Sequence, residues 1–129
     1  MGHLVIIVED SQFDAPALEI ALASIPGITV RHALTGRAAL DILESTDGRS
    51  VRAILTDLDM PRMSGFELIR HVRENPRLTR LPIIVLSGDT DPKTPGRTLE
   101  LGADAFFAKP YSPVAVRKKL EELLDARSQ

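Results

Sequence analysis

Four apolar stretches of this chain end on residues that can do chemistry. Leu4-Val-Ile-Ile-Val8 runs into Glu9 and Asp10, and Val51 to Thr56 runs into Asp57. Pro82 to Leu86 ends on Ser87, and Ala105 to Ala108 on Lys109. If these stretches are parallel strands of one sheet, their carboxyl ends share an edge, and ligand sites of open α/β sheets lie beyond that edge. Three carboxylates brought together repel one another, and a hard divalent cation with oxygen ligands relieves the conflict. Magnesium suits such a set because it keeps several waters and takes one or two direct carboxylates plus a phosphoryl oxygen. A carboxylate beside the metal can attack a phosphoryl group and form an aspartyl phosphate. The metal and a lysine ammonium would neutralise the phosphoryl oxygens during transfer. The Ser87 hydroxyl could then hydrogen-bond the product.

The elements that must position these groups alternate in type. Leu4 to Val8 is a β-rich, uninterrupted run, as expected of a strand covered on both faces. Ala15 to Ile25 places Leu18, Ala21, Leu22 and Ile25 at helical spacing and stops at Pro26-Gly27. Thr29 to Ala33 is a more polar strand, followed by a helix capped by Thr35 that carries Ala39, Leu40, Ile42 and Leu43. After the strand Val51 to Thr56, a helix over Phe66 to Arg73 closes at Asn75-Pro76. Pro92, Pro95 and Gly96 crowd the fourth helix, which is expected to start near Pro95 and run to Leu101 before Gly102. Ser112-Pro113 starts a last helix with Val116, Leu120, Leu123 and Leu124 inward. Five strand–helix units in series predict an α/β, doubly wound, five-stranded parallel sheet, since parallel neighbours need helical crossovers.

With 129 residues the chain fits one domain over 1–129, its core at about 4–125. A net charge of −2 nominates neither nucleic acid nor an anionic membrane as partner. The absence of cysteine excludes disulfides, thiolate metal sites and a Cys nucleophile. The longest apolar run, Leu4 to Val8, is far short of the roughly 20 residues that span a bilayer. No signal-peptide pattern is present, so cytoplasmic residence is the expectation. With no tryptophan and 4% aromatics, a stacking platform for single-stranded nucleic acid is not expected.

The set Val8-Glu9-Asp10, Leu55-Thr56-Asp57-Leu58-Asp59-Met60-Pro61 with Met63-Ser64-Gly65, Leu86-Ser87-Gly88 and Ala108-Lys109-Pro110 resembles the signatures of response regulator receiver domains. The resemblance covers essentially the whole chain, in order and with similar intervals. It implies a CheY-like, flavodoxin-like (βα)5 fold and a role in two-component phosphorelay signalling. It implies that Asp57 is the phosphoacceptor in a magnesium- or manganese-dependent, self-catalysed transfer. Asp10 would ligate the cation directly, Glu9 mostly through a water, and Asp59 through its backbone carbonyl. Ser87 would be the switch hydroxyl, Lys109 would pair with a phosphoryl oxygen, and Phe106 would stand at the aromatic switch position. The Lys109-Pro110 peptide would be cis. The implied phosphodonor is a sensor histidine kinase, a histidine phosphotransfer protein or a small phosphodonor, and a second copy of the chain is an admissible partner.

This chain departs from the commonest pattern at several positions. Glu9 stands where Asp is frequent, Ser87 where Thr is common, and Phe106 where Tyr is frequent. Phe106 has no phenolic hydrogen bond, so its rotamer would rest on packing. Gly88 leaves room beside the phosphoryl group, and Asp59 and Asp89 are expected near the pocket mouth, where they would affect phosphoryl lifetime.

Each residue also has a plain structural reading. Asp57 could cap a turn, Glu9 or Asp10 a helix, Ser87 could be a loop hydroxyl, Lys109 solvated, and Phe106 ordinary core. His3, His32 and His71 lack metal-ligand spacing and read as ordinary residues.

Two rival functions can be named. Asp57-Leu58-Asp59 resembles the opening motif of haloacid-dehalogenase-type phosphatases, but there the acidic pair comes last, whereas here it comes first. A phosphorylation-independent receiver-like module would ordinarily have lost the acceptor, an acidic partner or the lysine. No effector segment is seen after Asp125. The expectation is a stand-alone receiver, docking to a protein or relaying to a histidine, or the receiver portion of a longer protein.

Overall fold

The structure is a computed structural model in which residues 3–10, 16–45 and 49–127 are described. Its elements run β1 (His3–Val8), α1 (Pro16–Ala23), β2 (Ile28–Ala33), α2 (Gly36–Glu44), β3 (Val51–Thr56), α3 (Gly65–Glu74), β4 (Ile83–Ser87), α4 (Thr94–Glu100), β5 (Ala105–Ala108) and α5 (Pro113–Arg127). All strand pairs are parallel, and the sheet order is β2-β1-β3-β4-β5. This is the doubly wound, CheY-like α/β fold, with the chain reversing direction across the sheet between β2 and β3.

The apolar runs are continuous because helices cover both faces. Successive residues of a strand point to opposite sides. Val5 and Ile7 therefore join Leu18, Leu22, Val116 and Leu120 of α1 and α5 in one cluster. Ile6 and Val8 join Leu40, Leu43, Leu68 and Val72 of α2 and α3 in the other. β2 lies at an edge and is only partly covered, in line with its more polar sequence.

The caps follow the sequence signals. The Thr35 hydroxyl accepts from the Ala38 amide at 3.0 Å, and Ser64 and Glu67 form a capping box on α3. Helix boundaries differ from expectation by one or two residues; α3, expected over Phe66 to Arg73, spans Gly65–Glu74. α1 ends at Ala23, not Ile25, with the Ser24 hydroxyl donating to the Ala21 carbonyl at 2.6 Å. Proline disfavours helical backbone in the residue before it, so Pro26 unwinds the last turn one residue beyond its own neighbour. The predicted first residue, Ala15, lies outside the described residues. α4 begins at Thr94, next to the expected Pro95, and ends at Glu100, one residue before the expected Leu101. Proline's missing N–H belongs to a group of amides unpaired at any helix start, so Pro95 fits one residue inside.

Arg73 of α3 holds the amino ends of β4 and β5 together. Its guanidinium donates to the Gly102 carbonyl at 2.9 Å, the Leu78 carbonyl at 3.0 Å and Asp104 Oδ2 at 3.2 Å. Asp104 Oδ2 in turn accepts the Ile83 amide at 2.9 Å. With one end of the sheet fixed in this way, the functional loops lie at the other.

Candidate functional site

The sheet's hydrogen-bond ladder continues past the strand ends into the candidate residues. Glu9 N donates to the Ala33 carbonyl at 3.0 Å, Asp57 N to Val8 at 3.0 Å, and Lys109 N to Ser87 at 2.8 Å. Each backbone is thereby fixed to a neighbouring strand. The side chains then meet. Lys109 Nζ lies 2.9 Å from Asp57 Oδ2 and 3.5 Å from Glu9 Oε1. Exposure of the Glu9, Asp57 and Lys109 side chains is 4%, 13% and 24%, so their charges interact with little water between them. The other Asp57 oxygen, Oδ1, accepts the Leu58 amide at 2.7 Å, and the Thr56 hydroxyl donates to the Asp57 carbonyl at 2.8 Å. The Lys109-Pro110 peptide is cis.

Burial alone would lower the Lys109 pKa. The hydrogen bond and charge of Asp57, then those of Glu9, outweigh it and raise the pKa above its ordinary 10.5. For a raised lysine the stabilisation is complete below the ordinary value and is lost only as pH climbs through the folded one. Lys109 is therefore an ammonium throughout the neutral range.

Ser87 is fully buried at the end of β4, and its hydroxyl accepts the Asp89 amide at 3.0 Å. Asp89, expected near the pocket mouth, lies beside Ser87, and its carboxylate bonds within its own loop. Its Oδ1 accepts the Asp91 amide at 2.9 Å and its Oδ2 the Thr94 hydroxyl at 2.9 Å. Asp91 Oδ1 in turn accepts the Lys93 amide at 2.9 Å. The two aspartates thus tie the loop before α4, which has no side-chain cap of its own. Around Gly88 a Cβ would meet nothing within 4 Å, so that space is open. Phe106 is half-buried and packs with the α2/α3 cluster, while Phe107 packs with the opposite one. Near the same face, the Arg97 guanidinium lies 4.5 Å above the Phe66 ring.

The bonds from Asp91 and then Thr94 hold the Asp89 carboxyl below its ordinary 3.8 against the opposing effect of burial, with a lesser contribution from the Arg97 charge. A depressed carboxylate stabilises above its unfolded pKa and stops doing so as pH falls through the folded value. Acidification from about pH 6 to about pH 2 is expected to loosen the loop before α4 in step with Asp89. Amide shifts of Asp91 and Thr94 followed by NMR would show it. An Asp89→Asn variant retaining the same transition would sink the assignment.

Gly65 brings the loop after β3 against the site. A Cβ there would collide with the Asp57 carbonyl oxygen and come 2.8 Å from Leu58 Cα, both backbone atoms. Gly65 N also donates to the Leu58 carbonyl at 2.9 Å. Gly65→Ala is expected to cost about 2 kcal/mol of stability through backbone displacement. Urea denaturation would measure it, and an unchanged midpoint would be the contrary result.

This arrangement is an all-oxygen acidic edge with one ammonium, able to engage a phosphoryl group and a hard cation. The family model for the response regulator receiver domain matches residues 5–121. The chain belongs to that family.

As a receiver domain of two-component signalling, it has relatives in plants and bacteria. It is 36% identical over 114 residues to the two-component response regulator ORR3 of Oryza sativa subsp. indica, covering 88% of this chain and 85% of that protein. It is similar in structure to the signal receiver domain of a signal transduction histidine kinase from Syntrophus aciditrophicus. That match has a TM-score of 0.84 and 34% identity, over 97% of this chain and 92% of that one. The chemotaxis response regulator CheY4 of Vibrio cholerae aligns with a TM-score of 0.79 and 27% identity, over 95% and 99% of the two chains. Among the described residues, no helix is long and apolar enough to cross a membrane.

The receiver's acidic edge is looser than the sequence suggested. Glu9 and Asp57 meet through Lys109, whereas the Asp10 and Asp59 side chains are exposed. Among the described residues, no three His, Cys, Asp or Glu side chains are gathered closely enough to hold a metal by themselves.

His32, read from sequence as ordinary, is part of the surroundings. Its Nε2 lies 3.0 Å from the Glu9 carbonyl oxygen and its Nδ1 3.8 Å from Glu19 Oε1. Only the pairing of β1 with β2, which sets Ile7 beside His32, reveals that contact. Thr56, too, was legible merely as the last strand residue.

Proposed function

We propose that Asp57 is the phosphoacceptor of this receiver and that Ser87 and Phe106 report its state. The observation that carries the reading is the nearly buried Asp57 carboxylate, one oxygen 2.9 Å from the Lys109 ammonium at the carboxyl edge of the sheet. In this reading an Asp57 oxygen attacks phosphorus of a phosphohistidine on a sensor kinase or phosphotransfer protein. The P–N bond breaks, and the leaving imidazole takes a proton. Acetyl phosphate is an equivalent small donor, with acetate leaving. Lys109 neutralises a phosphoryl oxygen as its charge grows, and the Leu58 amide orients the carboxylate.

The residues suit magnesium or manganese, because every candidate donor is a hard oxygen and Glu9 is held nearly buried at the edge. Asp10 and Asp57 would supply direct carboxylates, the Asp59 backbone a carbonyl, and Glu9 a contact through water. With one or two direct carboxylates and several waters, such binding needs no tight three-carboxylate cage. The cation, when bound, supplies positive charge that lowers the repulsion between carboxylate and phosphoryl oxygens.

After transfer, the Ser87 hydroxyl leaves the Asp89 amide for a phosphoryl oxygen, through the open space at Gly88. The loop before α4 then rearranges, and Phe106 packs further inward on the α2/α3 side. Hydrolysis by water at the same site returns Asp57. Incubation with acetyl phosphate and magnesium, followed by peptide mass mapping, tests the proposal. The expected result is one base-labile phosphoryl group on the peptide containing Asp57. A modification at another residue would overturn the proposal.

A further inference from the structure

At the opposite edge of the sheet, where β1 and β3 begin, a cleft of about 810 Å³ opens between the two helical layers. Strands of six residues place it roughly 20 Å from Asp57. Its rim and floor differ in character. Arg49, Arg52, Arg77 and Arg80 line it against one carboxylate, Asp125, in a chain whose net charge is −2. The side chains of Arg49, Arg52 and Arg77 belong to exposed residues, and Arg52 Nε donates to His3 Nδ1 at 2.8 Å. Among the apolar lining residues are Leu43, Leu78 and Leu124, which come from both helical layers.

We propose that this cleft binds an organic anion of nucleotide-like build, with several phosphate charges on an apolar ring body. Three features favour that occupant. The arginines concentrate positive charge against the sign of the whole chain, and a guanidinium matches phosphate oxygens in a bidentate way. The apolar floor gives a ring system a surface to cover, which a bare inorganic ion would leave exposed to water. The volume lies within the roughly 300–1,000 Å³ of small-molecule clefts. The cleft is independent of the phosphoacceptor assignment, since no residue is shared between them.

The test is a titration of isotope-labelled full chain with ATP, in chelator so that no divalent cation mediates binding at the acidic edge. Saturable amide shifts at Arg52, Leu78 and Leu124 are expected. Adenosine and inorganic phosphate, each offered alone, are expected to bind at least about tenfold more weakly than ATP, since each engages half of the site. Arg52→Gln combined with Arg77→Gln is expected to weaken ATP by about tenfold or more. Comparison with adenosine needs no variant, so the proposal stays testable if the double substitution impairs folding. Absence of saturable shifts, shifts centred on Asp57, or ATP binding unchanged in the double variant would overturn it. Tighter binding of polyglutamate than of ATP would overturn it too, by assigning the cleft to acidic protein segments.

Discussion

Asp57→Asn is expected to abolish phosphoryl incorporation from acetyl phosphate while leaving the fold intact. The carboxamide oxygen can still accept the Leu58 amide now bonded to Oδ1 at 2.7 Å, so the turn after β3 keeps its geometry. The carboxamide nitrogen replaces the oxygen that faces Lys109 Nζ at 2.9 Å and sets donor against donor. Lys109 then turns toward Glu9, whose Oε1 is already 3.5 Å away. What disappears is the proposed nucleophile, since an amide has no anionic oxygen to offer phosphorus. Circular dichroism should match the parent, and intact mass should show no added phosphoryl group. Undiminished incorporation in the variant would refute the acceptor assignment.

Lys109→Ala is expected to slow the same transfer by roughly 100- to 1,000-fold, the range for removing one donor from a developing oxyanion. Lys109 pairs with both Glu9 and Asp57, so its charge is shared across the site. Its loss leaves two nearly buried carboxylates facing each other, which raises the repulsion met by an incoming phosphoryl group. Lys109→Arg is expected to recover only part of the rate, because a planar fork does not fit the point contact of an ammonium. Single-turnover kinetics with acetyl phosphate at fixed magnesium would measure both variants. A rate within about threefold of the parent in Lys109→Ala would show that the ammonium has no part in transfer.

The repeating strand–helix pattern was legible because burial on both faces leaves little freedom in composition: β3 and β4 are apolar almost throughout. Glu9, Asp57, Ser87 and Lys109 were legible because parallel strands place their carboxyl ends together. Features set by contacts distant in sequence were not. His32 beside Glu9 depends on the β1–β2 register, and Asp89 turning toward Thr94 depends on how the loop before α4 folds. Proximity in sequence to Ser87 places Asp89 near the pocket mouth but does not show its bonds to Asp91 and Thr94. The local demand for acceptors, from the Asp91 amide and the Thr94 hydroxyl, set where its carboxylate bonds. The end of α1 shifted because Pro26 acts on the backbone that precedes it, an effect that periodicity does not carry.

The ladder bonds that run past the strand ends have a consequence for where motion resides. Glu9, Asp57 and Lys109 present their amides to neighbouring strand carbonyls at 2.8–3.0 Å. The Gly88, Asp89 and Thr90 positions are exposed and belong to no strand or helix. Deuterium uptake should therefore be slow at the first three amides and fast at Gly88 and Thr90, differing by several orders of magnitude. In the proposed reading the reacting groups are clamped in the frame, and the timing of the response would belong to the short stretch between Ser87 and Thr94.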